Sequence, residues 1–238
     1  MRIDIWSDVV CPWCAIGNKR LERALADFAH ADQVEVVYHS FQLDPSAPAV
    51  PTERAADMLA RKYRMSPAQA AEAQGRVVAL AAEEGLDFTR HAESPVANTL
   101  DAHRLLHLAL AEGGPLQQAT LKQALFQAYF GDARNVADHG VLREVAVAAG
   151  LDPLRVDAVL AGGEYADDVE ADIQQAVSYG ASGVPFFVVD GRFGISGAQP
   201  TELFAQTLER AWRESHLVLE TVPGAAADGE CGPDGCPI

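Results

Sequence analysis

Long apolar runs are missing from this chain of 238 residues: no stretch of 18 apolar residues occurs that would span a bilayer. Basic residues are scarce as well. Lys and Arg number 18 against 34 Asp and Glu, a net charge of −16, so nucleic acid and anionic membrane are repelled on average and are not expected partners. Internal repeats, a Gly-rich phosphate loop and a Ser/His/Asp signature are all absent, and in the opening Met1–Asp8 the acids Asp4 and Asp8 interrupt any signal-peptide core. The expected location is therefore the cytoplasm, where thiols are kept reduced. What remains is an ordinary folded composition, 49% hydrophobic and 22% charged, which excludes disorder, collagen and coiled coil. Cysteine is scarce too, at 4 residues, but the four fall as two close pairs, Cys11 with Cys14 and Cys231 with Cys236.

Residues 2–7 alternate as a strand does, and from Pro12 to about His30 the apolar positions Ile16, Leu21, Leu25 and Phe28 carry helical spacing. Gln33 to His39 reads as a second strand, so the chain opens β-α-β. Pro45, Pro48 and Pro51 then mark a boundary. From Thr52 to about Tyr179 the pattern is helical, with start signals at Ser66-Pro67 and Asp152-Pro153 and separators at Gly113-Gly114-Pro115 and Gly150. Phe186–Val189, Asp190-Gly191 and Arg192–Ser196 read as a two-residue hairpin, because a type I′ turn needs positive φ at both central residues. Pro200 begins a last helix through Leu203, Leu208 and Trp212, and beyond Pro223 periodicity is lost.

In Cys11-Pro12-Trp13-Cys14 the pair straddles a strand-helix junction, which places Cys11 at a helix N-terminus where unpaired N–H groups favour thiolate. Pro12 suits the first helical position. Cys11 then attacks a disulfide, a mixed disulfide forms, and Cys14, one turn inside and more buried, resolves it. Cys-x-x-Cys is also half of a zinc site, so four cysteines from both chain ends could instead hold a structural metal in a binding module.

A chain that begins β-α-β, carries Cys-x-x-Cys at the first junction and ends β-β-α is thioredoxin-like. Cys11–Cys14, the helical insertion and Ser182-Gly183-Val184-Pro185-Phe186-Phe187 resemble the DsbA-like thioredoxin-fold oxidoreductases, and Asn98–Leu105, Ala124–Phe130 and Ser196–Pro200 are similar to the FrnE branch, cytoplasmic thiol-disulfide oxidoreductases or isomerases. The expected architecture is thus α/β: a thioredoxin-like core over 1–50 and 165–217, an all-helical insertion over 51–164, and an acidic flexible tail over 218–238. The resemblance implies a cis Val184-Pro185 bond facing the cysteines, with Pro12, Trp13, Val184 and Pro185 bordering the substrate. It implies protein disulfides as substrates, a thiol reductant such as thioredoxin or glutathione as partner, and no cofactor. It also offers an alternative within the fold, a glutathione-dependent isomerase or transferase of the 2-hydroxychromene-2-carboxylate isomerase type, although such relatives carry one Ser where this chain has Cys-x-x-Cys.

Cys231 and Cys236 lie in the acidic tail and read as an auxiliary redox pair able to exchange with Cys11-Cys14, or as a pair without a role. His103 and His107 are four apart and share a helix face with Leu106 and Leu110. With no acidic or Cys partner nearby in sequence, they read as partly buried helix surface rather than metal ligands. Asp8 either relays a proton to the resolving thiol or caps its loop. Lys19, Arg20 and Arg23 read as a solvated face.

Overall fold

The computed structural model describes residues 1–216; Cys231, Cys236 and the expected acidic tail lie outside the described residues. The chain runs β1 (Arg2–Ser7), α1 (Pro12–Ala26), β2 (Glu35–Ser40), then six helices: α2 (Ala55–Tyr63), α3 (Pro67–Glu83), α4 (Leu100–Phe126), α5 (His139–Ala148), α6 (Pro153–Ala161) and α7 (Ala166–Ser178). It closes with β3 (Phe186–Val189), β4 (Phe193–Ser196) and α8 (Thr201–Ser215). The sheet order is β2-β1-β3-β4, with β2 parallel to β1 and the other two pairings antiparallel. This is the expected thioredoxin-like α/β fold.

Alternation in β1 distributes its side chains between two layers. Ile3 and Ile5 point to α1 and α8, where they join Leu21, Phe187, Phe204 and Leu208, all sealed from solvent. Each such side chain contributes about 1.5–3 kcal/mol on burial. Trp6 points the other way, packs with Val188 and Ala176, and donates its indole N–H to the Asp172 carbonyl of α7 at 2.9 Å. A third and larger cluster joins the cysteine loop to the helices: Val9, Cys11, Cys14 and Ile16 pack with Leu105, Leu108, Leu121, Leu125 and Phe130. The free edge of β2 is covered by α4, whose Gln118 side chain bonds both the Tyr38 N–H, at 2.9 Å, and the Tyr38 carbonyl, at 2.8 Å.

Local signals act as expected at several ends. Ser66 closes a capping box with Gln69, and Asp152 accepts from the N–H groups of Leu154 and Arg155. Asp190 and Gly191 both have positive φ, 53° and 65°, as the hairpin turn demands. Helix α1 stops at Ala26, short of His30, because the chain turns at Asp27 and sends Phe28 back into the core. Strand β2 starts at Glu35 after a 3₁₀ turn over Ala31–Gln33. The Gly113-Gly114-Pro115 break is a single non-helical residue, Gly114, within α4 rather than a loop. The solvated face expected of α1 is partly a tether: Arg20 pairs with Glu84 at 2.7 Å and donates to the Ala198 carbonyl, and Arg23 reaches the same carboxylate at 2.6 Å. Glu84 is far away in sequence, which is why the face looked free; Lys19 does stay on the surface, pairing with Glu22.

Candidate active site

Cys11 is the N-cap of α1, in extended backbone, with Pro12 following at the first helical position. Its N–H donates to the Asp8 carbonyl at 3.3 Å, and its own carbonyl accepts from Cys14 at 3.1 Å, so the loop and the first turn fix both cysteines together. Both are free thiols, and both are buried, Cys11 at 3% and Cys14 at 1% exposure. The expected contrast in burial is therefore slight; the two thiols differ in what lies next to them. Cys11 lines a cavity and donates its thiol to the Val184 carbonyl at 3.7 Å. The Val184-Pro185 bond is cis. Pro185 comes close to α1 at Gly17, where an added Cβ would lie 3.1 Å from the proline ring and 3.2 Å from Phe187; the helix needs glycine there. Pro12 is half-buried beside Cys11, and Trp13 is 42% exposed at the mouth of the site.

Cys14 faces inward, toward groups brought from the insertion. Burial and its neighbour Cys11 push its thiol well above the ordinary value, and Lys122 acts against them. Lys122, on α4, is fully buried. Its ammonium donates to the Ser7 carbonyl at 3.4 Å and lies 5.1 Å from the centre of the Phe126 ring. Burial lowers it to about 8, while Cys14, Asp8 and Cys11 favour its charge. Asp8 is 1% exposed; burial opposes its ionisation, yet His103, the Leu43 N–H at 2.8 Å and Lys122 hold its carboxyl below the usual carboxylate value. His103, sealed from water, is kept neutral by burial and donates Nε2–H to Asp8 at 3.3 Å, leaving Nδ1 without a partner.

His103 and His107 thus do have acidic partners, contrary to the sequence reading. His103 meets Asp8, and His107 meets Asp172 of α7 at 3.0 Å, so the two rings serve different carboxylates. Among the described residues no group of three His, Cys, Asp or Glu side chains is placed to share a metal ion. Lys122 went unnoticed because a lone Lys in an Ala- and Leu-rich helix reads as surface. Its one signal was position: it follows Leu121 and precedes Leu125 and Phe126, all buried.

Two cavities of about 330 Å³ each adjoin the cysteine loop. One opens on Cys11 and is walled by α2 and α3; the other reaches Asp8, and both share Val10, Leu43, Met58, Lys62 and Tyr129. Tyr129 belongs to a π-helical turn over Gln127–Gly131 that follows α4. Such turns recur at functional sites.

A family model described as the DSBA-like thioredoxin domain matches residues 2–209. The chain is 45% identical to a probable DsbA oxidoreductase of Streptomyces coelicolor, whose solved structure superposes with a TM-score of 0.85 over 100% of this chain and 99% of that one. It is 25% identical over 209 residues to the uncharacterized protein YwbO of Bacillus subtilis, 87% of this chain and 96% of that protein. The cytosolic disulfide reductase DsbM of Pseudomonas aeruginosa, solved with GSH, shares the fold at a TM-score of 0.62 and 19% identity over 90% of this chain and 100% of its own.

Proposed function

From the premise that the chain belongs to the family of DSBA-like thioredoxin domains, we propose that it is a thiol-disulfide oxidoreductase or disulfide isomerase acting on protein disulfides through Cys11 and Cys14. The observation that carries this reading is the division of labour between the two thiols: Cys11 caps α1 at the wall of a cavity, and Cys14 lies beneath it against a buried lysine.

The chemistry follows from those positions. Cys11, seated at the N-terminus of α1, attacks as its thiolate one sulfur of a substrate disulfide. A Cys11–substrate S–S bond forms as the substrate bond breaks, and the released sulfur takes the electron pair and a proton. Cys14 must then lose its proton to attack Cys11 Sγ. Burial makes that costly, and Lys122 stabilises the thiolate as it forms, while Asp8, which lines the second cavity, relays the proton toward that cavity rather than keeping it. The Cys11–Cys14 disulfide closes and the second substrate thiol leaves. Val184 and Pro185 border the reacting sulfur, and Pro12 and Trp13 the approach to it. An extended substrate chain would pair with the Val184 backbone by strand addition.

In this reading 1–50 and 165–217 form the thioredoxin-like core, 51–164 an insertion that supplies Lys122 and His103, and 218–238 a tail in which Cys231 and Cys236 serve as an auxiliary pair. The segments Asn98–Leu105, Ala124–Phe130 and Ser196–Pro200 support the FrnE branch, protein disulfides as substrates, and a cytoplasmic protein reduced by thioredoxin or glutathione. Among the described residues no helix is long and apolar enough to cross a membrane. Insulin reduction and refolding of a scrambled disulfide substrate test the proposal. Cys11→Ser should abolish both, by about a thousandfold or more, and Cys14→Ser should still form mixed disulfides but fail to release them. Undiminished turnover in Cys11→Ser would overturn it, and unchanged rates after Cys231→Ser and Cys236→Ser would remove the auxiliary pair.

A further inference from the structure

Resolution of the mixed disulfide separates a proton from the sulfur that needs it. When Cys14 attacks Cys11, the second substrate sulfur departs with an electron pair into the cavity at Cys11, whereas the proton given up by Cys14 passes to Asp8, on the other cavity. A group facing both hollows can bring the two together. Five residues line both: Val10, Leu43, Met58, Lys62 and Tyr129. Three of them are apolar, and Lys62 is exposed on α2. Tyr129, 3% exposed, is the one buried side chain of the five with a transferable proton.

The protein fixes this side chain without using its hydroxyl. The π-helical turn Gln127–Gly131 carries Tyr129, its carbonyl accepts from the sealed Ser94 hydroxyl at 2.6 Å, and its ring stands edge-on to Phe130 at 4.9 Å. Among the described residues no protein group hydrogen-bonds the phenol oxygen, which is left to the two cavities. Burial and the nearby Asp8 charge hold it above the ordinary tyrosine value, so it stays protonated. A hydroxyl both donates and accepts, and so hands on its own proton while taking another. The cavity at Asp8, about 330 Å³ and lined by polar groups, has room for water between Asp8 and Tyr129. Gln74, on α3, and His91, in the 3₁₀ turn His91–Glu93, line the cavity at Cys11 alone. Burial lowers His91 to about 4, so it holds no surplus proton, and its Nδ1 is sealed without a partner.

Resting on the thiol-exchange reading above, we infer that the Tyr129 hydroxyl is the last member of a relay that returns the Cys14 proton to the departing substrate sulfur. Cys14 loses its proton to Asp8 as its sulfur attacks Cys11 Sγ; the Cys11–Cys14 bond forms, the Cys11–substrate bond breaks, and the departing sulfur takes the electron pair. Asp8 passes the proton through water in its cavity to the Tyr129 oxygen, and Tyr129 gives its own hydroxyl proton to that sulfur. The phenol and the carboxylate end as they began, and the substrate leaves as a thiol.

Such a relay matters only when the departing sulfur needs a proton, which separates it from a structural role for the ring. The full-length protein carrying Cys231→Ser and Cys236→Ser, so that only Cys11 and Cys14 react, is mixed rapidly with one of two disulfides. Hydroxyethyl disulfide releases a thiol that is protonated at neutral pH; dithiobis(nitrobenzoate) releases one that leaves as a stable anion. Decay of the Cys11 mixed disulfide is followed by acid quench and mass spectrometry. Adding Tyr129→Phe, checked for native helical content, should slow resolution of the hydroxyethyl adduct about tenfold or more and leave that of the nitrobenzoate adduct within about twofold. Equal slowing of both adducts, or slowing of neither, overturns the relay while exchange at Cys11 stands. If neither disulfide forms an adduct at Cys11, the underlying exchange reading falls instead.

Discussion

Two buried charge clusters hang from α4, four residues apart, and they are built to opposite standards. Around Asp172 every bond is short: His39 donates to Asp172 at 2.7 Å and to Asp4 at 2.8 Å, the Ser40 N–H donates to Asp172 at 2.7 Å, and His107 at 3.0 Å. Burial opposes the charge on His39, yet the two carboxylates raise it to about 9, and its ring stacks on Trp6 at 4.5 Å. Around Asp8 the Leu43 N–H bond is short, at 2.8 Å, but the side-chain bonds are long or missing: His103 reaches Asp8 at 3.3 Å, Lys122 donates to the Ser7 carbonyl at 3.4 Å, and His103 Nδ1 has nothing to bond. A satisfied network clamps α7 and α4 to the sheet. An under-coordinated cation beside two thiols is poor for stability and suited to a reaction in which charge appears on Cys14.

That contrast can be broken at either end. Removing the hub of the satisfied cluster should have the largest effect: Asp172→Ala leaves His39 buried and charged without its main partner, and should lower the unfolding free energy by about 3–5 kcal/mol in urea titration. A loss under 1 kcal/mol would show that the cluster is no clamp. Next comes its pH dependence. His39 is raised above its unfolded value, so its stabilisation is complete below pH 6.5 and is lost as pH climbs through about 9. The gap in stability between wild type and His39→Gln should therefore be a few kcal/mol at pH 6 and close by pH 10. Lys122, lowered to about 8, gives the opposite slope between about 8 and its unfolded 10.5, and subtracting the variant's curve from that of wild type cancels it.

The other cluster should respond in rate rather than stability. Lys122→Met should slow resolution of the Cys11 mixed disulfide about tenfold at pH 7 and move its pH profile upward, because Cys14 loses its stabilising cation, while the unfolding free energy stays unchanged or rises. A destabilised variant with normal resolution would reverse the comparison. The smallest effect is expected at His103→Leu, whose long bond and unpartnered Nδ1 contribute little; its stability should stay within about 1 kcal/mol of wild type, measured by thermal unfolding.

The same contrast explains what was readable in advance. The β-α-β opening, the Asp190-Gly191 hairpin and the caps at Ser66 and Asp152 are local, set by side-chain period and by φ, and they were read correctly. The partners of Arg20 and His107, Glu84 and Asp172, escape a local reading because they lie more than 60 residues away in the chain, although His107 is the half-buried helix residue its spacing predicts. Gln74, His91 and Tyr129 carried no signal, since an isolated Gln or Tyr in a helical run has the same pattern whether its polar atom meets water or a cavity.

By itself, then, the sequence determined the order of elements and the seating of Cys11 on a helix N-terminus, because short-range backbone geometry and apolar spacing suffice for those. Only the tertiary structure decided which polar groups are sealed from water and which of them find partners. Burial is a property of packing between distant segments, and it is burial that separates Lys122 and His91 from ordinary surface residues, that raises Cys14, and that leaves His91 Nδ1 without a partner at the cavity on Cys11.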